Sequence, residues 1–214
     1  MNKNFFVVDY EFTFYKKAIG KPNDFFSEII EIGAVTLDSE SLELSKGFQD
    51  FVYPKFFPKQ AKDAYEFCMI KESDMEKAIS FNEMIDEMLT EYIPGKTWFV
   101  TWGDADYNVV NEGCIRHGME NPVLKSDCLD LAHAYKLMNG DDYTTSLHNA
   151  SIEMDVEGDG LWHTAYDDAK NTALILKEMM LDGWTIQEYE EEKEEEQQEK
   201  EEKHGIREEK RLHH

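Results

Sequence analysis

The sequence predicts a mixed α/β fold. Short apolar runs bounded by polar or turn residues dominate the first quarter of the chain, as buried strands do, and stretches with apolar residues at helical spacing follow. Three consecutive strands and then a strand-and-helices half specify a mixed central sheet flanked by helices. With 214 residues, 41% of them hydrophobic, the chain suits one domain with a sizeable core and is too short for two full ones.

Taken in order, Phe5, Phe6, Val7 and Val8 form a buried strand, residues 29–37 a second and residues 47–53 a third. Phe81, Met84, Ile85, Met88, Leu89 and Tyr92 recur along one helix face, and Pro94-Gly95 breaks that helix. Residues 98–102 are a fourth strand. Residues 106–117 form a helix ended by Gly118, and residues 129–138 another stopped by Asn139-Gly140. Thr145 or Ser146 caps a short helix through Met154, and a last helix spans residues 164–181 before Asp182-Gly183. There is no internal repeat and no Gly-rich phosphate loop.

Composition changes after Trp184, which divides the chain into a body (residues 1–184) and an acidic, charged tail (residues 185–214). Residues 187–214 carry twelve acidic and six basic side chains and almost no apolar ones, so the tail buries no face and is a solvated helix or disordered. The formal net charge is −24; without the tail's share the body still holds −18, so the acidity is spread through the molecule. A protein that blankets duplex phosphates would be basic, so this charge argues against tight non-specific duplex binding. It does not argue against an enzyme that grips a few nucleotides through bound cations. Cys68, Cys114 and Cys128 are odd in number and lack zinc-ligand spacing, which points to a reducing cytoplasm and not to a disulfide framework. Asp9 interrupts the apolar stretch after Met1, so no signal peptide is expected, and no segment is long enough to span a membrane. No feature specifies an oligomeric state.

Three short motifs carry chemistry. Asp9-Tyr10-Glu11 follows the first strand, and Asp106 lies in Thr101-Trp102-Gly103-Asp104-Ala105-Asp106-Tyr107, just past the fourth. The third, His163-Thr164-Ala165-Tyr166-Asp167-Asp168, opens the last helix. Residues two apart on a strand share a face, so Asp9 and Glu11 project together. At an effective dielectric of ~20, two like charges ~4 Å apart repel by about 4 kcal/mol, and a divalent cation reverses that sign. Carboxylate oxygens suit hard ions such as Mg²⁺ or Mn²⁺. With Asp106 and Asp168, four acids from separate parts of the chain can hold two ions, the arrangement used for in-line phosphoryl displacement. An attacking water still has a proton to lose, and an imidazole, His163, suits that task; a mobile loop ahead of the helix would let its ring swing inward.

Several neighbours admit two readings. Asp104, two residues before Asp106, competes for the ligand role, whereas Asp167 reads as a helix-start acid complementing the dipole. Lys16, Lys17 and Lys21, in the loop after the first motif, are either solvated or contacts for substrate phosphate. Trp98, Phe99 and Trp102 adjoin a buried strand and read as core; Trp162 is the best candidate for stacking on a base. His117, His133 and His148 are scattered and read as structural or exposed.

At this level of detail the chain resembles the DEDDh 3′→5′ exonucleases of the ribonuclease H-like fold, in the branch that includes the histone-mRNA 3′-end exonuclease and bacterial sporulation-inhibitor-type exonucleases. The likeness runs from about residue 5 to residue 183 and rests on the stretches 7–13, 28–35, 51–54, 102–106 and, most specifically, 160–173. It implies that Asp9, Glu11, Asp106 and Asp168 hold two Mg²⁺ or Mn²⁺ ions and that His163 is the general base. The substrate is then a single-stranded RNA or DNA 3′ end, shortened by one nucleoside 5′-monophosphate at a time. It also implies that Phe12 and Thr13 line the terminal-nucleotide pocket; Tyr107, next to Asp106, is a further candidate for substrate contact by its position alone. One departure stands out: after Phe67-Cys68 the branch usually has a Leu-Thr-Gly-Ile-like segment, where this chain has Met69-Ile70-Lys71-Glu72. In relatives that region borders the substrate entrance. The competing readings are a non-catalytic interaction protein that keeps the fold, against which all five site residues speak, and an acidic calcium module, which the lack of an Asp-x-Asp-x-Asp-Gly loop disfavours.

Overall fold

The computed structural model describes residues 3–16, 20–156 and 163–194. At its centre is a five-stranded mixed sheet with the order β3-β2-β1-β4-β5. β1 (Asn4–Phe12) pairs antiparallel with β2 (Ile29–Leu37), which pairs antiparallel with β3 (Phe48–Phe51). On its other side β1 runs parallel to β4 (Thr97–Thr101), and β4 parallel to β5 (Cys128–Asp130). The mixed sheet expected from the strand pattern is therefore the one that forms.

Two short helices, α1 (Lys62–Phe67) and α2 (Glu72–Met75), lie between β3 and α3 (Phe81–Glu91). The sequence pattern did not predict them, because neither is long enough to display a helical period. Ser80 and Glu83 close a capping box at the start of α3. α4 (Ala105–His117) and α5 (Leu131–Asn139) end at Gly118 and Gly140, as expected. Ser146, and not Thr145, caps α6 (Leu147–Glu153), and α7 (Ala165–Leu181) follows. One boundary is corrected. The stretch expected to start a helix at residue 129 first forms β5, and Asp130 then caps α5 by accepting from the His133 amide at 3.0 Å. The apolar residues Leu129, Leu131 and Ala132 satisfy both periods, so the cap decides where the helix begins.

Alternation along β1 sorts its side chains onto two cores. Phe6, Val8 and Tyr10 face α3 and α4, where Phe81, Met84, Met88, Val109 and Val110 close over them. Phe5 and Val7 face the opposite way, with Val35 and Leu37 of β2, against Ile175, Leu176 and Met179 of α7. Phe99 belongs to the first core, and Trp98 and Trp102 pack against the second, so these aromatics serve packing. The Trp102 indole also donates to the Thr145 carbonyl at 3.2 Å.

The tail is not wholly solvated. Tyr189 is buried together with Trp184, and Ile186 packs against the same core, whereas residues 190–194 are exposed. The expectation that the segment after Trp184 buries no face is thus corrected for its first helical turn, where two apolar side chains three apart reach the body. The rest of the tail, from residue 195, lies outside the described residues, as do Lys17 and Trp162. Among the described residues no helix is long and apolar enough to cross a membrane, and all three cysteines are free thiols.

α7 reaches the sheet at Gly33. A Cβ built there would lie 2.0 Å from the Tyr166 amide nitrogen and 2.2 Å from the Ala165 carbonyl carbon, both backbone atoms that cannot rotate away. Gly33→Ala must therefore displace the start of α7, an overpacking cost of at least about 3 kcal/mol. At roughly 2–4 °C per kcal/mol for a chain of this size, thermal unfolding should show a fall of about 6–12 °C, or no soluble protein. A variant melting within 2 °C or so of the parent would show that the contact is not close.

Candidate active site

Asp9 and Glu11 continue the face of β1 that begins with Phe5 and Val7. They take the place of apolar side chains at the end of the strand nearest the start of α7. Across the ladder Asp9 stands opposite Gly33, and Glu11 directly opposite Glu31. Because α7 rests on Gly33, its first turn brings Asp168 to the same spot. Asp106, on the first turn of α4, arrives from the far side of β1, where its Oδ1 accepts from the Tyr10 amide at 3.2 Å. All four predicted ligands converge, and a fifth carboxylate, Glu31, joins them.

The electrostatics record this crowding. Burial, and then the charges of Asp106, Asp168, Glu11 and Glu31, push the Asp9 carboxyl well above the usual carboxylate range. Burial raises Asp106 to about 7, with the Tyr10 amide pulling against it and Glu11 and Asp130 adding to it. Asp168 is raised to about 6 by burial, against the His163 amide. Glu31 has no exposed surface, and burial lifts it to about 7 although the Gln49 side-chain amide donates to its Oε1. Glu11 is raised as well, mainly by burial. No lysine or arginine figures among the causes for any of the five. Glu31 Oε2 and Asp168 Oδ1 are buried without a hydrogen-bond partner. Orphaned, mutually repelling oxygens of this kind are the donor set that a hard divalent cation takes up.

His163 closes the site. Its backbone is left-handed, with φ 68°, an uncommon conformation for a non-glycine residue and one that recurs at functional positions. Its amide donates to Asp168 Oδ2 at 3.2 Å, which leaves Oδ1 facing the other acids. A ring nitrogen and one oxygen each from Glu11 and Asp168 all lie within 4.8 Å of one another. The exposed His163 ring rests against Phe67, with centroids 4.5 Å apart. Residues 157–162, where a mobile loop was expected, are outside the described set.

Three members of the site escaped the sequence reading. Glu31 sits in an otherwise apolar strand, Ile29-Ile30-Glu31-Ile32, and that lone charge was the signal. The buried Cys68 thiol donates to Glu11 Oε2 at 3.0 Å. Burial and that carboxylate hold Cys68 far above the ordinary thiol range, so it remains a donor. Phe67, 49% exposed beside His163, had no sequence signal beyond the Phe67-Cys68 pair itself.

The remaining predicted residues divide. Asp104 is exposed at the helix start while Asp106 is buried, so the structure brings Asp106 and not Asp104 among the acids. Asp167 accepts from Thr164 Oγ1 at 3.0 Å, a role at the helix start. Phe12 is partly buried against the first core, just past a bulge in β1. Tyr107 lines a cleft with Thr101, Gly103 and Asp104, its ring 4.1 Å from the Lys125 ammonium. Thr13 departs from expectation. Its side chain is 0% exposed, and its hydroxyl accepts from the Glu28 amide at 2.9 Å. It therefore has no surface to offer a terminal nucleotide. Its neighbour Phe14 is partly buried and packs edge-on against Phe67, with ring centroids 5.8 Å apart.

Comparison with known proteins points the same way. The RNase_T family, described as an exonuclease family, matches residues 6–176. The probable 3′-5′ exonuclease KapD of Bacillus subtilis (strain 168) is 34% identical over 173 residues, spanning 80% of this chain and 82% of that protein. ERI1 exoribonuclease 2 of Homo sapiens is 27% identical over 199 residues, covering 83% of this chain but only 28% of its own length. Among solved structures, the nuclease domain of 3′hExo, a DEDDh family member bound to rAMP, superposes with a TM-score of 0.74 at 24% identity, over 85% of this chain and 94% of that one. A 3′-exonuclease solved for its 3′-end-specific recognition of the histone mRNA stem-loop gives 0.73 at 22% identity, over 85% and 83%. The sheet order and flanking helices are thus those of the ribonuclease H-like DEDDh fold.

The raised carboxyls set a pH signature. A carboxyl whose folded-state pKa lies above its unfolded value of about 4 stabilises the protein below that value, and the contribution is lost as pH rises through the folded pKa. For Glu31, Asp106 and Asp168 the loss runs from about pH 4 to pH 7. Melting temperatures of the EDTA-treated protein should therefore fall across that window more steeply than those of Glu31→Gln. Adding Mn²⁺ at pH 8 should restore stability to the parent. Parallel pH profiles for the two proteins, with no Mn²⁺ response, would show that the acids do not crowd one another.

Proposed function

Because the chain belongs to the RNase_T exonuclease family, we propose that it shortens single-stranded RNA or DNA from the 3′ end, releasing one nucleoside 5′-monophosphate per turnover. The observation that carries this reading is the convergence of Asp9, Glu11, Asp106 and Asp168 with His163 beside an exposed aromatic ring.

In this reading the four acids hold two Mg²⁺ or Mn²⁺ ions. Such ions would supply Lewis-acid chemistry there, offsetting the carboxylates' charge, easing deprotonation of a water and countering the charge that builds at the phosphate. His163 takes the proton of the attacking water at a ring nitrogen. The water oxygen bonds to the phosphorus of the last phosphodiester as the bond from phosphorus to the preceding nucleotide's 3′-oxygen breaks. That oxygen leaves with a proton from solvent and becomes the new 3′-hydroxyl. Cys68 keeps Glu11 oriented through its hydrogen bond. Phe67, beside His163, gives the terminal base a face to stack on. Glu31, opposite Glu11, is buried too deeply to meet substrate, and its charge strengthens the demand of the cluster for cations.

Incubation with 5′-labelled RNA and DNA oligomers in Mn²⁺ should give a ladder of shortened products, and EDTA should abolish it. Asp168→Asn and Asp9→Asn should drop to background while the metal-free proteins melt no lower than the parent, since each change removes one of the mutually repelling charges. His163→Ala should slow turnover by about 10²–10⁴-fold, with Mn²⁺ affinity changed only a few-fold; a large loss of affinity would make His163 a ligand instead. A wild-type protein that binds Mn²⁺ yet shortens neither nucleic acid would leave the fold in the service of a non-catalytic interaction.

A further inference from the structure

Beyond the catalytic cluster, and resting on the exonuclease reading, we propose that the groove between residues 14–16 and residues 59–63 carries the substrate strand upstream of the scissile phosphate. Phe14, Tyr15 and Lys16 form one wall, and Lys59, Gln60, Lys62 and Asp63 the other, around a cavity of about 340 Å³. Three ammonium groups against one carboxylate make it locally cationic, on a protein whose net charge is −24. A polyanion repelled by most of the surface is accepted there. Lys16 stands beside an aromatic ring, its ammonium 5.6 Å from the Phe14 centroid. Cations beside stacking faces are the chemistry that tracks a single strand without reading its sequence.

Position relative to the site supports the same assignment. Phe14 packs against Phe67 at 5.8 Å, and Phe67 against His163 at 4.5 Å. The groove therefore opens two rings away from His163, within reach of a strand whose last nucleotide lies against Phe67. Both walls are also pinned. Thr13 and Glu28 exchange hydrogen bonds, the Thr13 amide to the Glu28 carbonyl at 2.8 Å and the Glu28 amide to the Thr13 hydroxyl at 2.9 Å. The buried Glu28 carboxylate then accepts from the Phe56 and Phe57 amides at 2.8 and 2.6 Å, just ahead of the turn that bears Lys59. One acidic side chain thus sets the spacing of the two walls. The competing ion pair, Lys62 with Glu66 at 3.9 Å, is exposed on both sides and is of the weak kind that a phosphate displaces. The cleft on the other flank of the site is not cationic. There Lys125 and Lys193 are matched by Asp104 and Asp130, with Glu190 and Glu194 alongside in the adjoining cavity.

The test compares the wild type with a Lys16→Gln, Lys59→Gln, Lys62→Gln triple variant in Mn²⁺. Two substrates are used: the p-nitrophenyl ester of thymidine 5′-monophosphate, which has no upstream strand, and oligouridylate of two, four and eight nucleotides. On the ester, kcat/KM should agree within about twofold. On the eight-mer, KM should rise at least tenfold, and the slope of log affinity against log salt should fall by about 2, the value for three contacts at ~0.7 each. Equal KM and equal salt slopes on the eight-mer would overturn the proposal. So would an equal loss on the ester, which would place the lysines at the terminal nucleotide. If the wild type cleaves no substrate, the exonuclease reading fails by itself. The groove is then judged by fluorescence anisotropy of a 5′-labelled eight-mer in Ca²⁺, and equal binding by wild type and variant refutes it.

Discussion

The start of α7 lies directly on the backbone of β2, and the space for that contact exists because residue 33 has no side chain. This approach fixes the height of α7 above the sheet. It therefore fixes where Asp168 and His163 stand relative to Glu11 and Glu31. A helix held one methyl group further out would still cover Val7, Val35 and Leu37, because Ile175, Leu176 and Met179 lie further along it. The acids would separate first. The geometry of the site is thus more sensitive to Gly33 than the core is, although Gly33 is itself no ligand.

How much of this the sequence displayed depends on whether the determining interaction is local. Asp9 and Glu11 sharing a face follows from the two-residue period of a strand, and β1 obeys it with Phe5 and Val7 on the same side. The ends of α4 and α5 follow from glycines that accept left-handed backbone at φ 68° and 69°. Asp106 and Asp104 could not be separated by pattern, since what distinguishes them is a hydrogen bond from Tyr10, ninety-six residues away. The burial of Thr13 was hidden from the sequence for the same reason. Its neighbours in sequence adjoin the site, yet its own hydroxyl is spent on Glu28. Tyr189 looked like one aromatic in a charged tail, and only the contact with Trp184 and His133 reveals that it is a docking residue. Glu31 was visible as a charge within an apolar strand, but which cluster it joins depends on its register opposite Glu11.

The acid cluster and the charge of the whole chain pose the same problem at two scales. Five carboxylates share a space in which no lysine or arginine among the described residues offsets their charge, in a chain with an excess of acid throughout. Such a site repels phosphate as strongly as it repels itself, so cations are required for substrate to approach as well as for chemistry. The cationic groove addresses the part of the substrate that bound ions do not reach. Under the proposed function a division of labour would follow: ions would take the terminal phosphodiester, the groove lysines the phosphates behind it, and the remaining acidic surface would discourage duplex or lengthwise non-specific contact.

Glu28 ties these parts together. It is a buried carboxylate, yet it belongs to a different class from Asp9 or Glu31, because both of its oxygens already accept from backbone amides, those of Phe56 and Phe57. An acid whose oxygens are filled by amides has little to offer a cation. Glu31 and Asp168, each with an orphaned oxygen, have that capacity. The distinction between a structural and a ligating carboxylate here lies in where the remaining lone pairs go, since both kinds are buried. By that criterion the fold uses one acid to brace the walls along which a strand could run and reserves the others for the ions at its end.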